Sequence, residues 1–213
     1  TEMPDGTFSR VEFSPWHVKT FDANDTVLES RWYQDRGAPD PQAPLASGAS
    51  PDTRAAWLAA QHANTPSETH LDSLGREVIA IAHNRTPDAG GNWQDDYYTT
   101  FTRLDAEGKP LWIRDARGNL VMQYITPARP NDATGEEMPS NALPCYDIAG
   151  NLLFQHSMDA GDRWMLMDAA GKPMLAWDEY KPKDDEVVVE KRLYATDYDQ
   201  LHRPTAQWLT IDT

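Results

Sequence analysis

Residues 7–33, TFSRVEFSPWHVKTFDANDTVLESRWY, alternate aromatic and β-branched positions with polar ones. That period of two predicts two or three short strands. Asp22, Ala23, Asn24 and Asp25 interrupt it with side chains that bond back to their own backbone, which predicts a turn joining two of the strands. The alternation then lapses in QDRGAPDPQAPLASGAS, residues 34–50, where Pro, Gly and Ala predict a loop. A helix follows. Ser50 can cap its free amides, Pro51 suits the first helical position, and Asp52 suits the positive end of the dipole. Ala55, Ala56, Trp57, Leu58, Ala59 and Ala60 carry it to about Ala63, and Thr65-Pro66 stops it. The pattern therefore predicts one short α-helix near 51–63, anchored on a sheet by Trp57.

From residue 67 onward the apolar alternation is cut by a recurring unit, D-x-x-G followed by a polar or basic residue. Its copies start at Asp72 (with Gly75), Asp105 (Gly108), Asp115 (Gly118), Asp147 (Gly150) and Asp168 (Gly171); a sixth, at Asp199, has His202 in place of the glycine. Three copies run on into proline, as GKPLWI, GKPMLAW and HRPTAQW. Successive starts lie 33, 10, 32, 21 and 31 residues apart, close to multiples of about ten. Ten residues make one strand and its turn. The longer gaps hold units with drifted turns and two inserts, GGNWQDD and PARPNDATGEEMPSN.

The unit has the chemistry of a hairpin turn. Asp at its first position accepts a bond from an amide two residues on, and Gly at its fourth takes a positive φ without a steric penalty. A type I turn followed by a left-handed residue needs both. Leu111, Ile113, Leu120 and Met122 alternate with polar neighbours on the flanks, as do Met174 and Ala176. Serial antiparallel hairpins follow, an all-β fold, with Trp57, Trp112, Trp164 and Trp177 as packing aromatics. Repeated copies at strand spacing cannot share one active site, so these aspartates are read as structural. None continues into the alternating carboxylates and closing Glu of a calcium loop.

Composition narrows the function. The 213 residues carry 34 acidic against 19 basic side chains, a formal charge of −15, the wrong sign for a phosphate backbone or anionic lipid. Nucleic acid and membrane insertion are therefore not expected, nor is an export signal within the first thirty residues. Cys145 stands alone, which excludes an internal disulfide; it is read as a packed thiol rather than a nucleophile. His17, His62, His70, His83, His156 and His202 lack metal-ligand spacing, and no cofactor motif occurs; Gly90-Gly91-Asn92 and Gly135-Glu136-Glu137 read as loop. Carboxylate pairs such as Asp95/Asp96 and Asp184/Asp185 are hydrolase-like candidates and read as solvated surface. Carbohydrate binding is the alternative function, with Trp93, Trp112, Trp164, Trp177 or Trp208 stacking on sugar rings.

The D-x-x-G units, the Tyr-Asp pairs at Tyr146-Asp147 and Tyr198-Asp199, and the phrases EFSPWHVKTFDANDTVLESRWY, AAWLAAQHANTPSETHLDSLGR and AGDRWMLMDAAGKPMLAWD together carry a resemblance. It extends over essentially the whole chain. The sequence resembles the Rhs, or YD-repeat, proteins, specifically the Rhs region of bacterial toxins related to the B and C components of ABC-type insecticidal complexes. The resemblance implies a strip of hairpins spiralling into a hollow shell around a toxic polypeptide. It also implies a non-enzymatic role here, a secreted or delivered assembly made in the bacterial cytoplasm, and other shell segments or subunits as partners. Self-association through open strand edges is a further expectation. The family's self-cleaving D-P-x-G motif is missing; the nearest text, Asp40-Pro41-Gln42-Ala43, lacks the glycine. The expected organisation is 1–66 for N-terminal strands, loop and helix, and 67–213 for the hairpins.

Overall fold

A computed structural model of the chain describes residues 1–130, 138, 140–180 and 189–212. Two compact units emerge, Thr1–Phe101 and Thr102–Thr213. The change of composition at residue 66 falls inside the first of them.

In the first unit β1 (Arg10–Phe13), β2 (His17–Phe21), β3 (Ser67–Leu71), β4 (Glu77–Pro87) and the start of β5 (Trp93–Leu104) lie side by side in chain order, each antiparallel to the last. Between β2 and β3 the chain leaves the sheet. Residues 27–33, expected as strand, and Gln34, expected as loop, form instead a 3-10 turn (Val27–Glu29) and a one-turn helix α1 (Arg31–Gln34). Local capping overrides β propensity there. Asp22 Oδ1 accepts the amides of Asn24 and Asp25 at 2.7 and 3.0 Å, and Ser30 Oγ accepts the Tyr33 amide at 3.1 Å. The turn at 22–25 therefore leads from β2 into helical structure, not into another strand.

The second helix, α2 (Pro51–Ala60), begins as expected: Ser50 Oγ accepts the Thr53 amide at 3.0 Å, with Pro51 and Asp52 in the first turn. Its anchoring differs from expectation. Ala56, Ala60 and the following Ala63 are buried against Val27 and Tyr33, with Leu28, Trp32 and Ala59 around them. Small residues let the helix approach the 3-10 turn closely. Trp57 is only half-buried, and its indole Nε1 donates to the Ala43 carbonyl at 2.9 Å, tying the helix to the proline-rich loop rather than to the sheet.

In the second unit β6 (Pro110–Arg114) and β7 (Leu120–Gln123) pair antiparallel, and two short strands, β8 (Ile125–Thr126) and β9 (Leu143–Pro144), make a separate ladder. β10 (Phe154–Ser157) returns to β7, and β11 (Gly161–Met167), β12 (Pro173–Tyr180), β13 (Glu190–Tyr198) and β14 (Pro204–Asp212) continue in order. The order of strands is thus the order of the sequence, a serial antiparallel architecture with few crossovers. Leu111, Trp112, Leu120 and Ile125 form the buried cluster, with Met138 and Ala142 against it.

Candidate functional site

The functional feature the sequence singles out is its array of turns, and the structure gives them one geometry. In each, the aspartate amide donates to the carbonyl four residues on, at 2.8 Å for Asp72, 2.9 Å for Asp105, Asp115 and Asp147, and 2.8 Å for Asp168. The amide of the fourth residue returns to the aspartate carbonyl at 2.9–3.1 Å, from Gly75, Gly108, Gly118, Gly150 and Gly171. The carboxylate fills the concave side. Asp168 Oδ1 accepts the Ala170 and Lys172 amides at 2.8 and 2.9 Å, and Asp115 Oδ1 accepts those of Arg117 and Asn119 at 3.0 and 2.8 Å. Gly171 sits at φ +75° and Gly118 at φ +86°, with open space where a Cβ would stand. Only the backbone dihedral asks for glycine there.

Two members lie beyond the glycine-containing copies named from sequence. At Asp199 the turn keeps its hydrogen bonds with His202 at φ +56° in the glycine's place. The second was read as loop and as part of the GGNWQDD insert: Asp88 donates to Asn92 at 2.7 Å, Gly91 returns at 2.9 Å, and Oδ1 accepts the amides of Gly90 and Asn92. The asparagine at its fifth position, shared with Asn119 and Asn151, is the signal that identifies it.

Where the fifth residue is Arg or Asn, its side chain adds a further donor to the carboxylate. Arg76 and Arg203 donate through Nε to the second carboxylate oxygen of Asp72 and Asp199, both at 2.7 Å, and Asn151 does so for Asp147 at 2.8 Å. These donors stabilise the ionised form. The Arg76 side chain foremost holds Asp72 below the ordinary carboxylate range; the amides of Asn92, Lys172 and Arg203 do so for Asp88, Asp168 and Asp199, and the Asn151 side chain for Asp147.

The Tyr-Asp pairs add a link between turns. Tyr146 Oη donates to the Pro110 carbonyl at 2.8 Å while Lys109 Nζ lies 5.5 Å from its ring centroid. Tyr198 repeats the arrangement on Pro173 at 2.8 Å, with Lys172 Nζ at 5.7 Å. One tyrosine therefore clasps the Gly-Lys-Pro exit of an earlier turn through a hydrogen bond and a cation–π contact. Sequence reading noted both halves of this motif without joining them.

The packing aromatics divide. Trp112 is fully buried, and the Arg129 guanidinium lies 4.7 Å from its ring. Gln123 fixes that arginine by its backbone, donating to the Arg129 carbonyl at 2.9 Å and accepting its amide at 2.7 Å. Trp164 and Trp177 are direct cross-strand partners, stacked with centroids 6.3 Å apart, and Phe154 packs at 4.6 Å from Trp164. Leu193 continues the row in register with Trp177. Trp177 is nevertheless 41 % exposed, and among the described residues of β11 to β14 none is buried.

The other candidates resolve individually. Asp95 and Asp96 are neighbours on β5 and face opposite sides of the sheet, so they cannot work as a catalytic pair. Asp184, Asp185 and Gly135-Glu136-Glu137 lie outside the described residues. Cys145 is buried, which pushes its thiol pKa up, the reverse of activation for nucleophilic attack. Among the described residues no three His, Cys, Asp or Glu gather to hold a metal, and no helix is long and apolar enough to cross a membrane.

No family model and no curated protein matches the chain. Solved structures do. The Tc holotoxin pore of Photorhabdus luminescens, with a substitution in TccC3, aligns with 98% of this chain at 18% identity and a TM-score of 0.55. The crystal structure of TcdB2-TccC3-TEV aligns with 98% at 18% identity and 0.52. In both cases the chain spans 8% of the matched chain's length. At this identity the likeness is one of fold: the serial hairpin sheet of this protein is also found in segments of those Tc toxin chains. The serial antiparallel hairpins expected from the Rhs resemblance are those observed.

Proposed function

We propose that this chain is a wall segment of an Rhs-type toxin shell, a non-enzymatic strip that helps to enclose a toxic polypeptide and keep it apart from the producing cell until delivery. The observation that carries the reading is the turn array, among the described residues seven copies of one hydrogen-bonded geometry, six between successive strands of the sheet and one, at Asp147, closing the bridge of Tyr146 to Leu152, in a fold shared with Tc toxin segments. Such a strip extends by adding hairpins, each stabilised chiefly by its neighbours. The half-exposed rows on β11 to β14 support it further: Trp177, Leu193, Trp208 and Leu209 leave more apolar surface open than a free-standing sheet favours, and adjoining wall segments would cover it. The partners are then other parts of the shell and the enclosed polypeptide, and the assembly is a secreted or delivered one. Open strand edges give the isolated chain a route to self-association.

Electron cryomicroscopy of the product of the complete reading frame tests this. A hollow particle with the hairpins in its wall is the expected result. A solid particle, with these strands packed into a closed domain, overturns the proposal.

A further inference from the structure

The hairpin of β4 and β5 carries a cluster that the turn array does not use. On one of its faces Arg85 stands opposite Asp95, and Pro87 opposite Trp93. Arg85 Nε donates to Asp95 Oδ1 at 2.7 Å, its Nη1 donates to the Ala63 carbonyl at 2.8 Å, and His83 Nε2 lies 2.9 Å from the same Asp95 oxygen. His83 is itself stacked on Tyr97 at 4.5 Å. The ion pair is therefore fixed before any ligand arrives, which lowers the ordering cost of binding. These bonds use Asp95 Oδ1 and the Nε and Nη1 of Arg85, and leave Asp95 Oδ2 and the second Nη of Arg85 outside them.

Arg85 and Asp95 line a cavity of about 350 Å³ together with Gln42, Gln61 and Asn64 from the proline-rich loop and the end of α2; Gln61 already donates to the Pro41 and Trp57 carbonyls, so Gln42 and Asn64 supply the carboxamide donors. Trp93 walls it with a ring that is 41 % exposed and braced edge-on by His62 at 6.3 Å. An open indole beside a fixed acceptor, a fixed donor and carboxamides is an unusual set for a surface whose only task is packing.

We propose that this cavity binds a neutral hexose. The ring's C–H face is apolar and flat enough to lie on the Trp93 indole, while adjacent hydroxyls, each both donor and acceptor, can donate to Asp95 and accept from Arg85 or a carboxamide. The volume sits at the small end of ligand sites and suits one ring or two. A phosphorylated sugar fits poorly: Asp95 already neutralises Arg85, and the chain carries a net charge of −15. This site is independent of the wall reading and stands or falls by itself.

Titration of the 213-residue protein with methyl α-glucoside, methyl α-mannoside, methyl β-galactoside and N-acetylglucosamine, followed by calorimetry and tryptophan fluorescence, tests the site. At least one sugar should saturate with a dissociation constant on the order of 1 mM. Trp93→Ala should weaken that binding by about tenfold or more, and Trp93→Phe, which keeps an aromatic face, by less; Trp208→Ala, at an exposed tryptophan in the other unit, should leave it unchanged. Circular dichroism confirms that each variant is folded. A flat response to all four sugars overturns the proposal, as does saturable binding that survives Trp93→Ala or disappears in Trp208→Ala.

Discussion

Two stretches of the second unit use the same turn and bury very different amounts of chain. Around β6 and β7, Leu111 and Trp112 are adjacent in sequence and both buried, so the strand is covered on both faces. In β11 to β14 no described residue reaches that state, although Asp168–Gly171 closes its turn as Asp115–Gly118 does. The difference lies in what covers the strands. After β7 the chain makes an excursion that brings Ile125, Met138 and Ala142 against the cluster and sets Arg129 over Trp112, held there by the Gln123 amide. Among the described residues the later strands have only each other and β10, whose Phe154 packs on Trp164. Turn chemistry therefore sets register, while burial comes from insertions or from neighbours.

The largest expected consequence is at the tryptophans. Trp112→Ala should cost about 3–5 kcal/mol in chemical denaturation, because a fully buried ring leaves a cavity; Trp177→Ala, which removes a half-exposed ring, should cost about 1–2 kcal/mol. Equal losses would mean that the later strands are buried after all.

The turns should respond alike in both stretches. Gly118→Val and Gly171→Val force a β-branched residue to positive φ with no atom nearby to clash, so each should cost about 1–3 kcal/mol, and the two should agree. A much smaller loss at one of them would show that its turn can rearrange. Removing the clasps is milder: Tyr146→Phe and Tyr198→Phe each delete one hydrogen bond, worth about 1 kcal/mol, with the half-buried Tyr146 the more sensitive.

The smallest effect concerns charge. Asp72, Asp88, Asp147, Asp168 and Asp199 have depressed folded pKa values, so the unfolded chain binds more protons in acid. Their contribution is fully present above the unfolded value of about 3.9 and is lost as pH falls through the lower folded values. Thermal unfolding should thus show this contribution constant from neutrality to about pH 5 and declining below about pH 4. Asp168→Asn keeps the oxygen that accepts the Ala170 and Lys172 amides but not the charge, so at neutral pH it should lose only that residue's share of the acid-dependent contribution, and that share should no longer vary with pH. A large loss at neutral pH would contradict the turn geometry.

What the sequence makes legible is local chemistry. Asp, Gly and the fifth residue announce a turn because each meets a requirement of that turn alone, and the Ser50-Pro51-Asp52 start of α2 is readable for the same reason. Residues 27–33 misled because aromatic and β-branched side chains suggest strand, whereas the Ser30 cap and the burial of Val27 and Tyr33 decide for helix. Trp57 misled because size suggests an anchor, while three alanines provide the contact. The Asp88 turn hid behind a double glycine. The Arg85, Asp95 and Trp93 cluster depends on the pairing of β4 with β5 and on the end of α2 folding over it, relations that no local pattern carries.

The wall account is tested most directly by hydrogen exchange, resolved to individual strands, on this chain alone and on the product of the complete reading frame. The account predicts that amides of β6 and β7 are similarly protected in both, because their cover is built into the chain, and that β11 to β14 gain strong protection only in the complete product. Equal, strong protection of β11 to β14 in the isolated chain would contradict it, since those strands would then need no neighbouring wall.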